Sequence, residues 1–300
     1  MLSVIICTYN RDKYLGETLQ RLAGNHFEGP WELLLINNNS TDSTETICHT
    51  FATQHPNISF RYLVETKQGL SYARNRGIQE AKGDWLVFLD DDAFVGENYL
   101  ERLLQYIHDL PQMDAFGGRI SPLFENGEMP AWFSKWSASW VSAIDKGDKV
   151  CPFTKDYPIG ANMGFSKRIA DQCGLFNTDL GRSGKNLIGG EEKDYFNRLK
   201  ALNATIYYLP EIEVQHCIPL SRTTDEYICR LGLGVGLSER QRTLDISKSA
   251  YAKRLFLEAI RWSGTLVLWI GYCLQGHPAK GNKLVLFRKN VTKGLLTHQL

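Results

Sequence analysis

Long apolar runs, paired cysteines and a charge excess are what this 300-residue chain has little of, and each shortage removes a class of protein. The most apolar late stretch, Trp262 to Leu274, is broken by Ser263, Gly264 and Gly271. It is shorter than the roughly 20 residues that a spanning helix needs. Seven cysteines, at 7, 48, 151, 173, 217, 229 and 273, are scattered and odd in number, with no C-x-x-C pair. That pattern suggests neither a zinc site nor a disulfide framework and reads as a reducing, cytoplasmic setting. The opening Leu2-Ser3-Val4-Ile5-Ile6-Cys7 lacks the charged region and long apolar stretch of a secretion signal. A formal net charge of +1 gives no ground for a nucleic-acid partner.

Repeats and low-complexity segments are also missing, and two glycine-rich stretches fail as phosphate motifs. Gly181-Arg182-Ser183-Gly184-Lys185 misses the G-x-x-x-x-G-K-[ST] spacing. Gly232-Leu233-Gly234-Val235-Gly236 is not G-x-G-x-x-G and follows no strand into a βαβ unit, which argues against a dinucleotide cofactor. These glycines read instead as close-packing positions, or as a loosened segment near an active-site mouth.

What is present is a 43% apolar chain, enough to bury a substantial core, and a cluster of acids. Asp90, Asp91 and Asp92 stand directly behind the run Trp85-Leu86-Val87-Phe88-Leu89. Such a run reads as a strand buried on both faces, and ligands of open α/β sheets collect at the carboxyl ends of their strands. Three adjacent carboxylates repel unless a cation or donor compensates them, and hard oxygen ligands favour Mg2+ or Mn2+. The plain alternative is an acidic loop at a helix N-terminus.

Strand and helix signals alternate through the first hundred residues. Strands are expected at 2–7, 31–36, 58–64 and 85–89, and helices at 11–23, after Ser40-Thr41-Asp42, and at 71–81. This is the pattern of a doubly wound α/β sheet. A helix at 98–109, a strand at 115–120, an aromatic-rich irregular region at 121–157, a helix at 194–202 and a strand leading to His216 follow.

Several segments, in this order, resemble the inverting nucleotide-sugar glycosyltransferases of glycosyltransferase family 2. Val4-Ile5-Ile6-Cys7-Thr8-Tyr9-Asn10-Arg11 is similar to the family's opening strand and nucleotide-binding loop. Ile36-Asn37-Asn38-Asn39-Ser40-Thr41-Asp42 is similar to its second strand end, Gly69 to Asn75 to the helix start near the diphosphate, and Asp90-Asp91-Asp92 to its D-x-D. Gly189-Gly190-Glu191-Glu192 resembles the Glu-Asp catalytic motif, and Val214-Gln215-His216 the late histidine of the metal site. The resemblance covers about residues 2 to 240.

It implies the GT-A fold, a Rossmann-like doubly wound sheet in three α/β/α layers with a C-terminal helical extension. The catalytic domain would be 1–244, with a nucleotide-binding half at about 1–115 and an acceptor half at 116–244, followed by a tail at 245–300. It also implies a nucleotide-sugar donor, read as a UDP-sugar, and a saccharide or lipid-linked saccharide acceptor.

The nucleotide would be held by Thr8, Tyr9, Asn10, Arg11, Asn37, Asn38, Gly69, Arg74, Asp90 and Asp91. Asp92 would bind the Mn2+ or Mg2+ directly, with Asp90 at the ribose or a metal-bound water and His216 completing the site. Asp91 should face the other side of an extended segment, and its role stays open. Glu192 would be the general base, with Glu191 second, although the family has aspartate at that position. Asn37 stands where the family often has an aspartate at the uracil ring. Arg74 and Arg222 are candidates for the diphosphate, Asn162 for the sugar, and the block from Trp132 to Trp140 for the acceptor wall.

The sugar nucleotidyltransferases are the nearest enzymatic rival, but their glycine-rich N-terminal loop is missing here. A saccharide-binding or catalytically degenerate protein of the same fold is the other.

The tail adds a separate expectation. From Asp245 onward nine Lys/Arg face two acids, so the tail carries +7 and the remainder −6. Leu255-Phe256-Leu257, Ile260, Trp262 and the run to Leu274 suit helices lying on the inner face of an anionic membrane, or a helical cap with a solvated basic face.

Overall fold

The computed structural model describes residues 1–181 and 189–297. The motif-like segment from Arg182 to Lys185 therefore lies outside the described residues. Contacts divide the chain into two units, one of Met1–Pro122 with Ser142–Cys217 and one of Leu123–Val141 with Ile218–Leu300.

In the first unit the order is β1 (Leu2–Thr8), α1 (Asp12–Ala23), β2 (Trp31–Asn37), α2 (Thr44–Gln54), β3 (Phe60–Val64), α3 (Leu70–Glu80), β4 (Trp85–Asp90), β5 (Ala93–Val95) and α4 (Tyr99–Asp109). It continues through β6 (Ala115–Phe124), β7 (Cys151–Pro152), β8 (Asn162–Ser166), α5 (Lys167–Cys173), α6 (Glu191–Ala201) and β9 (Ile206–Ile218). The sheet runs β3-β2-β1-β4-β8-β6-β9-β5, with β7 paired to β9. Its first four strands are parallel, whereas β8 is antiparallel to β4 and to β6.

The apolar runs of β1, β2 and β4 are continuous because both sheet faces are covered. Val4, Ile6, Leu33, Leu35, Val87 and Leu89 pack with Leu15, Leu19, Phe51 and Leu100 of α1, α2 and α4. Alternate residues Ile5, Leu34, Ile36, Leu86 and Phe88 pack with Ala73, Ile78, Tyr195 and Phe196 of α3 and α6. Register then decides where chemistry can occur. Thr8 pairs with Asn37 and Cys7 with Asp90, so three parallel strands end at one level and deliver their polar residues together.

The expected helix at 194–202 begins earlier, at Glu191, because Gly190 takes a left-handed conformation (φ 115°) that turns the chain into its first turn. The strand expected to lead to His216 is a 13-residue strand, Ile206–Ile218, that contains it.

The second unit carries α7 (Asp225–Ile246), α8 (Lys248–Leu274) and α9 (Pro278–Leu296). Thr224 and Ser247 cap α7 and α8 by accepting from the amides of Tyr227 and Ala250. Gly276 (φ 75°) followed by His277-Pro278 separates α8 from α9. Two glycines of α7, Gly232 and Gly236, prove to be a packing device, whereas Gly234 faces open space. A Cβ on Gly236 would lie 2.2 Å from the Val291 carbonyl oxygen, and one on Gly294 would lie 2.3 Å from that of Leu233. This close approach draws α7 to the tail helices, and the division by contacts falls at Cys217/Ile218. Trp140 stacks on Phe287 of α9 at 4.5 Å between ring centroids, which brings 123–141 into the same unit.

Gly236→Val should force α7 and α9 apart and cost about 1–3 kcal/mol. Urea unfolding of the full chain followed by tryptophan fluorescence would measure that loss, and an unchanged midpoint would contradict the packing role.

Candidate active site

The acids converge at the carboxyl ends of β1 and β4, but they do not play one part. Asp91 turns into the protein: Thr8 Oγ1 donates to its Oδ2 at 2.7 Å, and Thr18 Oγ1 of α1 donates to its backbone oxygen at 2.7 Å. Arg11 Nε stands 3.6 Å from Asp91 Oδ1, and the same guanidinium pairs with Asp92. Arg11 is thus the internal counter-charge of the cluster.

Asp92 is almost fully buried, and its Oδ1 lies 3.2 Å from His216 Nε2. Pairing of β5 with β9 produces this contact, because Ala93 aligns with His216 and the Cys217 amide donates to the Asp92 carbonyl at 2.8 Å. Asp90, Asp92 and His216 each offer one ligand atom, and these atoms lie within 4.8 Å of one another. Two carboxylate oxygens and an imidazole nitrogen fit a divalent cation, with the nitrogen favouring Mn2+ over Mg2+. Burial pushes the thiol of the neighbouring Cys7 up to about 12, Arg74 opposing this and Asp90 and Asp91 adding to it.

Glu191 and Glu192 open α6 beside a buried arginine. The Arg74 guanidinium, 3% exposed, reaches Glu191 Oε1 and Glu192 Oε1, each at 3.0 Å. Burial alone would lower its pKa, but the carboxylates of Glu192, Glu191 and Asp90 outweigh that and raise it. The Gly160 amide donates to Glu192 Oε1 at 2.9 Å. A Cβ at residue 160 would lie 1.9 Å from Arg74 Nη2 and 2.5 Å from Glu192 Oε1 and would displace the ends of both side chains. Burial raises the Glu192 pKa above the usual carboxylate range; Arg74 opposes this, and Glu191 and Asp90 add to it. Glu191 Oε2 is buried without a hydrogen-bond partner. Asp90 acts electrostatically on both Arg74 and Glu192, which links the two acid groups into one site.

The remaining expected residues divide into loop builders and framework. Asn10 (φ 53°) accepts from the Thr41 amide at 2.8 Å and stitches the β1–α1 loop to the β2–α2 loop, while Tyr9 beside it is 38% exposed. Asn37 donates to Tyr62 at 2.7 Å and accepts from the Ser40 amide at 2.8 Å, so most of its amide is engaged inside the protein. Asn38 donates to the carbonyls of Glu65 and Lys67 and accepts from the Gly69 amide at 2.7 Å, shaping the turn that starts α3 at Gly69 (φ 141°).

Arg74, expected at the diphosphate, pairs with the two glutamates. Asn162, read as a sugar contact, is wholly buried: it accepts from Tyr99 at 2.7 Å and donates to the carbonyls of Arg119 and Ile212 at 3.0 and 2.8 Å. Trp132 and Trp140 are buried against each other in the second unit, with Trp136 exposed. Arg222 lies there in the single turn Leu220–Thr223. Sequence reading missed Gly160 and Thr18. Neither has a sequence signal, because each matters only through a neighbour far along the chain.

The family model described as glycosyl transferase family 2 matches residues 3–174. A glucosyl-dolichyl phosphate glucuronosyltransferase of Haloferax volcanii is 23% identical over 267 residues, covering 85% of this chain and 83% of that protein. Glycosyltransferase GlyG of Streptococcus pneumoniae is 32% identical over 109 residues, 36% of each chain. The fold matches mannosyltransferase PcManGT of Pyrobaculum calidifontis, solved with GDP-Man and Mn2+, at a TM-score of 0.64 and 15% identity, covering 99% of this chain and 88% of that one. These neighbours are GT-A glycosyltransferases, and the sheet with its flanking helices is the GT-A fold.

Asn162→Ala should strand the Tyr99 hydroxyl and two buried carbonyls and cost about 2–4 kcal/mol. The check is thermal unfolding alongside nucleotide binding at low temperature: a lower midpoint with binding intact fits a framework role, and the reverse pattern would return Asn162 to the sugar site.

Proposed function

The chain belongs to glycosyl transferase family 2, and on that premise we propose that it transfers one sugar, with inversion, from a nucleotide-sugar donor to a hydroxyl of a saccharide or lipid-linked saccharide. The observation that carries this reading is the juxtaposition of the Asp90, Asp92 and His216 cluster with Glu192, whose carboxylate is fixed by Arg74 and the Gly160 amide.

Inversion by single displacement needs one base on the acceptor side. Glu192 takes the proton from the acceptor hydroxyl as that oxygen attacks the anomeric carbon and the bond to the nucleoside diphosphate breaks. Its raised pKa makes it a stronger base than an ordinary carboxylate. Arg74 keeps the two adjacent glutamates from repelling each other out of position. Asp90, Asp92 and His216 would hold Mn2+ or Mg2+, which supplies positive charge to the departing diphosphate. Arg11 neutralises Asp91 and Asp92 from the protein side and so supports the charge balance of the cluster.

The exposed Tyr9 and the loops built by Asn10, Asn37, Asn38 and Gly69 form the nucleotide cradle. The donor is read as a UDP-sugar. Solved neighbours carry UDP-GlcNAc in one case and GDP-Man in another, so nucleotide binding is common to them while the base differs. A lipid-linked acceptor, with the tail at the membrane, agrees with the dolichyl phosphate substrate in the name of the Haloferax relative.

Glu192→Gln should lower kcat about 10²- to 10⁴-fold and leave nucleotide affinity within a few-fold. The base form of Glu192 exists above its pKa, so the wild-type rate should climb as pH rises through a value above the usual carboxylate range and then level off. A pH–rate profile that is flat there, or an active Gln variant, would remove Glu192 as base.

Asp92→Ala should abolish metal-dependent binding of UDP. Calorimetric titration of UDP, GDP, CDP and dTDP, each with and without Mn2+, tests this and identifies the base. Equal binding with and without metal would reject the metal-dependent reading.

A further inference from the structure

The face of α8 turned away from α7 and α9 is apolar where a helix in water is normally polar. Phe256 and Val267 are each 68% exposed, Leu274 is 85% exposed, and Ile260 and Ile270 are more than half exposed. At 100° per residue, positions 256, 260, 263, 267, 270 and 274 fall within an arc of about 80°, and the stripe runs for about 27 Å along the helix. Its spacing of four and three residues makes it one seam of five exposed apolar residues, with the small Ser263 as its single polar member. Its opposite side is occupied, since Arg254, Glu258 and Thr265 are buried.

Charge indicates what covers this seam. Between Ile246 and Thr297 the sole acid is Glu258, which is 3% exposed and held by Arg254 at 2.8 Å and Arg288 at 3.2 Å. Lys248, Lys253 and Arg261 of α8 and Lys289 and Lys293 of α9 are exposed, with no exposed carboxylate in that span to balance them. A second copy docked through the same seam would set cations against cations. An anionic bilayer surface complements both features, receiving the apolar stripe below its headgroups and the flanking cations at their level. Among the described residues no helix is long and apolar enough to cross a membrane, so the seam lies in the interface plane.

We propose that α8 is a monotopic membrane anchor, and that its seam from Phe256 to Leu274 seats this unit on anionic lipid. This deepens the lipid-linked acceptor reading above by naming the surface that engages the bilayer. It requires no particular donor or metal.

The experiment is co-sedimentation of the full-length protein with vesicles of phosphatidylcholine, alone or mixed with phosphatidylglycerol. Wild type should bind the mixed vesicles and bind pure phosphatidylcholine at least about tenfold more weakly. The double variant Val267→Glu/Ile270→Glu should lose at least about tenfold of the binding to mixed vesicles. Lys253→Gln/Arg261→Gln should narrow the gap between the two lipids while keeping the apolar contribution.

Helical circular dichroism and calorimetric UDP binding, run on the same preparations, separate loss of anchoring from loss of fold. They also let the transferase reading fail independently, as nucleotide binding lost from wild type. Unchanged binding of the glutamate variant to lipid, or no binding of wild type to either vesicle, would overturn the anchor. A wild-type dimer in light scattering that the glutamate variant dissolves would assign the seam to a second copy and overturn it as well.

Discussion

The buried guanidinium of Arg74 is the contact on which the candidate site depends. Glu191 and Glu192 are neighbours on the first turn of α6, more than a hundred residues along the chain from α3. Burying two adjacent carboxylates without a cation would push both toward the neutral form. Arg74 supplies the cation from the opposite wall, and Gly160 leaves the room for it. Removing one partner would leave charges uncompensated in a buried position, the costly case for such pairs. The ion pair fixes Glu192 in place, while burial raises its pKa against the opposing charge of Arg74.

The aspartates obey the same logic with the roles divided. Asp91 is engaged by Thr8 and by Arg11, and its backbone oxygen by Thr18, so it anchors the loop to α1. Asp92 also pairs with Arg11 through Oδ2, and its Oδ1 and a carboxylate oxygen of Asp90 group with His216. The pairing of Ala93 with His216 across β5 and β9 fixes that geometry, so the ligand set is a product of strand register. A slip of one residue would turn His216 to the other face.

The second unit solves a different problem. Its helices hold a buried Arg254–Glu258 pair joined by the half-buried Arg288 and bring α7 within backbone distance of α9 through Gly236 and Gly294. The sequence shows Gly232, Gly234 and Gly236 plainly, and close packing, one of two readings open there, applies to Gly232 and Gly236 but not to Gly234. Only the structure supplies the partner, because a glycine's function here is the atom that approaches it.

The alternation of apolar runs and helical periods made the doubly wound sheet legible, since a strand buried on both faces must be apolar throughout. The clustering of Asp90 to Asp92 behind such a strand was legible for the same reason. The resemblance to glycosyltransferase family 2 named the site residues by position along the chain, but position cannot say what a side chain touches. Asn162 reads like a sugar contact and is a buried brace between strands. Arg74 reads like a phosphate contact and spans two glutamates. Trp132 reads like an acceptor wall and packs on Trp140. The sequence by itself determined the strands, the helices and the set of acidic residues available, because periodicity and local charge are properties of neighbouring residues. Which acids meet a cation, which asparagines build loops and which glycine makes room were decided only by tertiary structure, because each depends on partners distant in sequence that the sheet brings within a few ångströms.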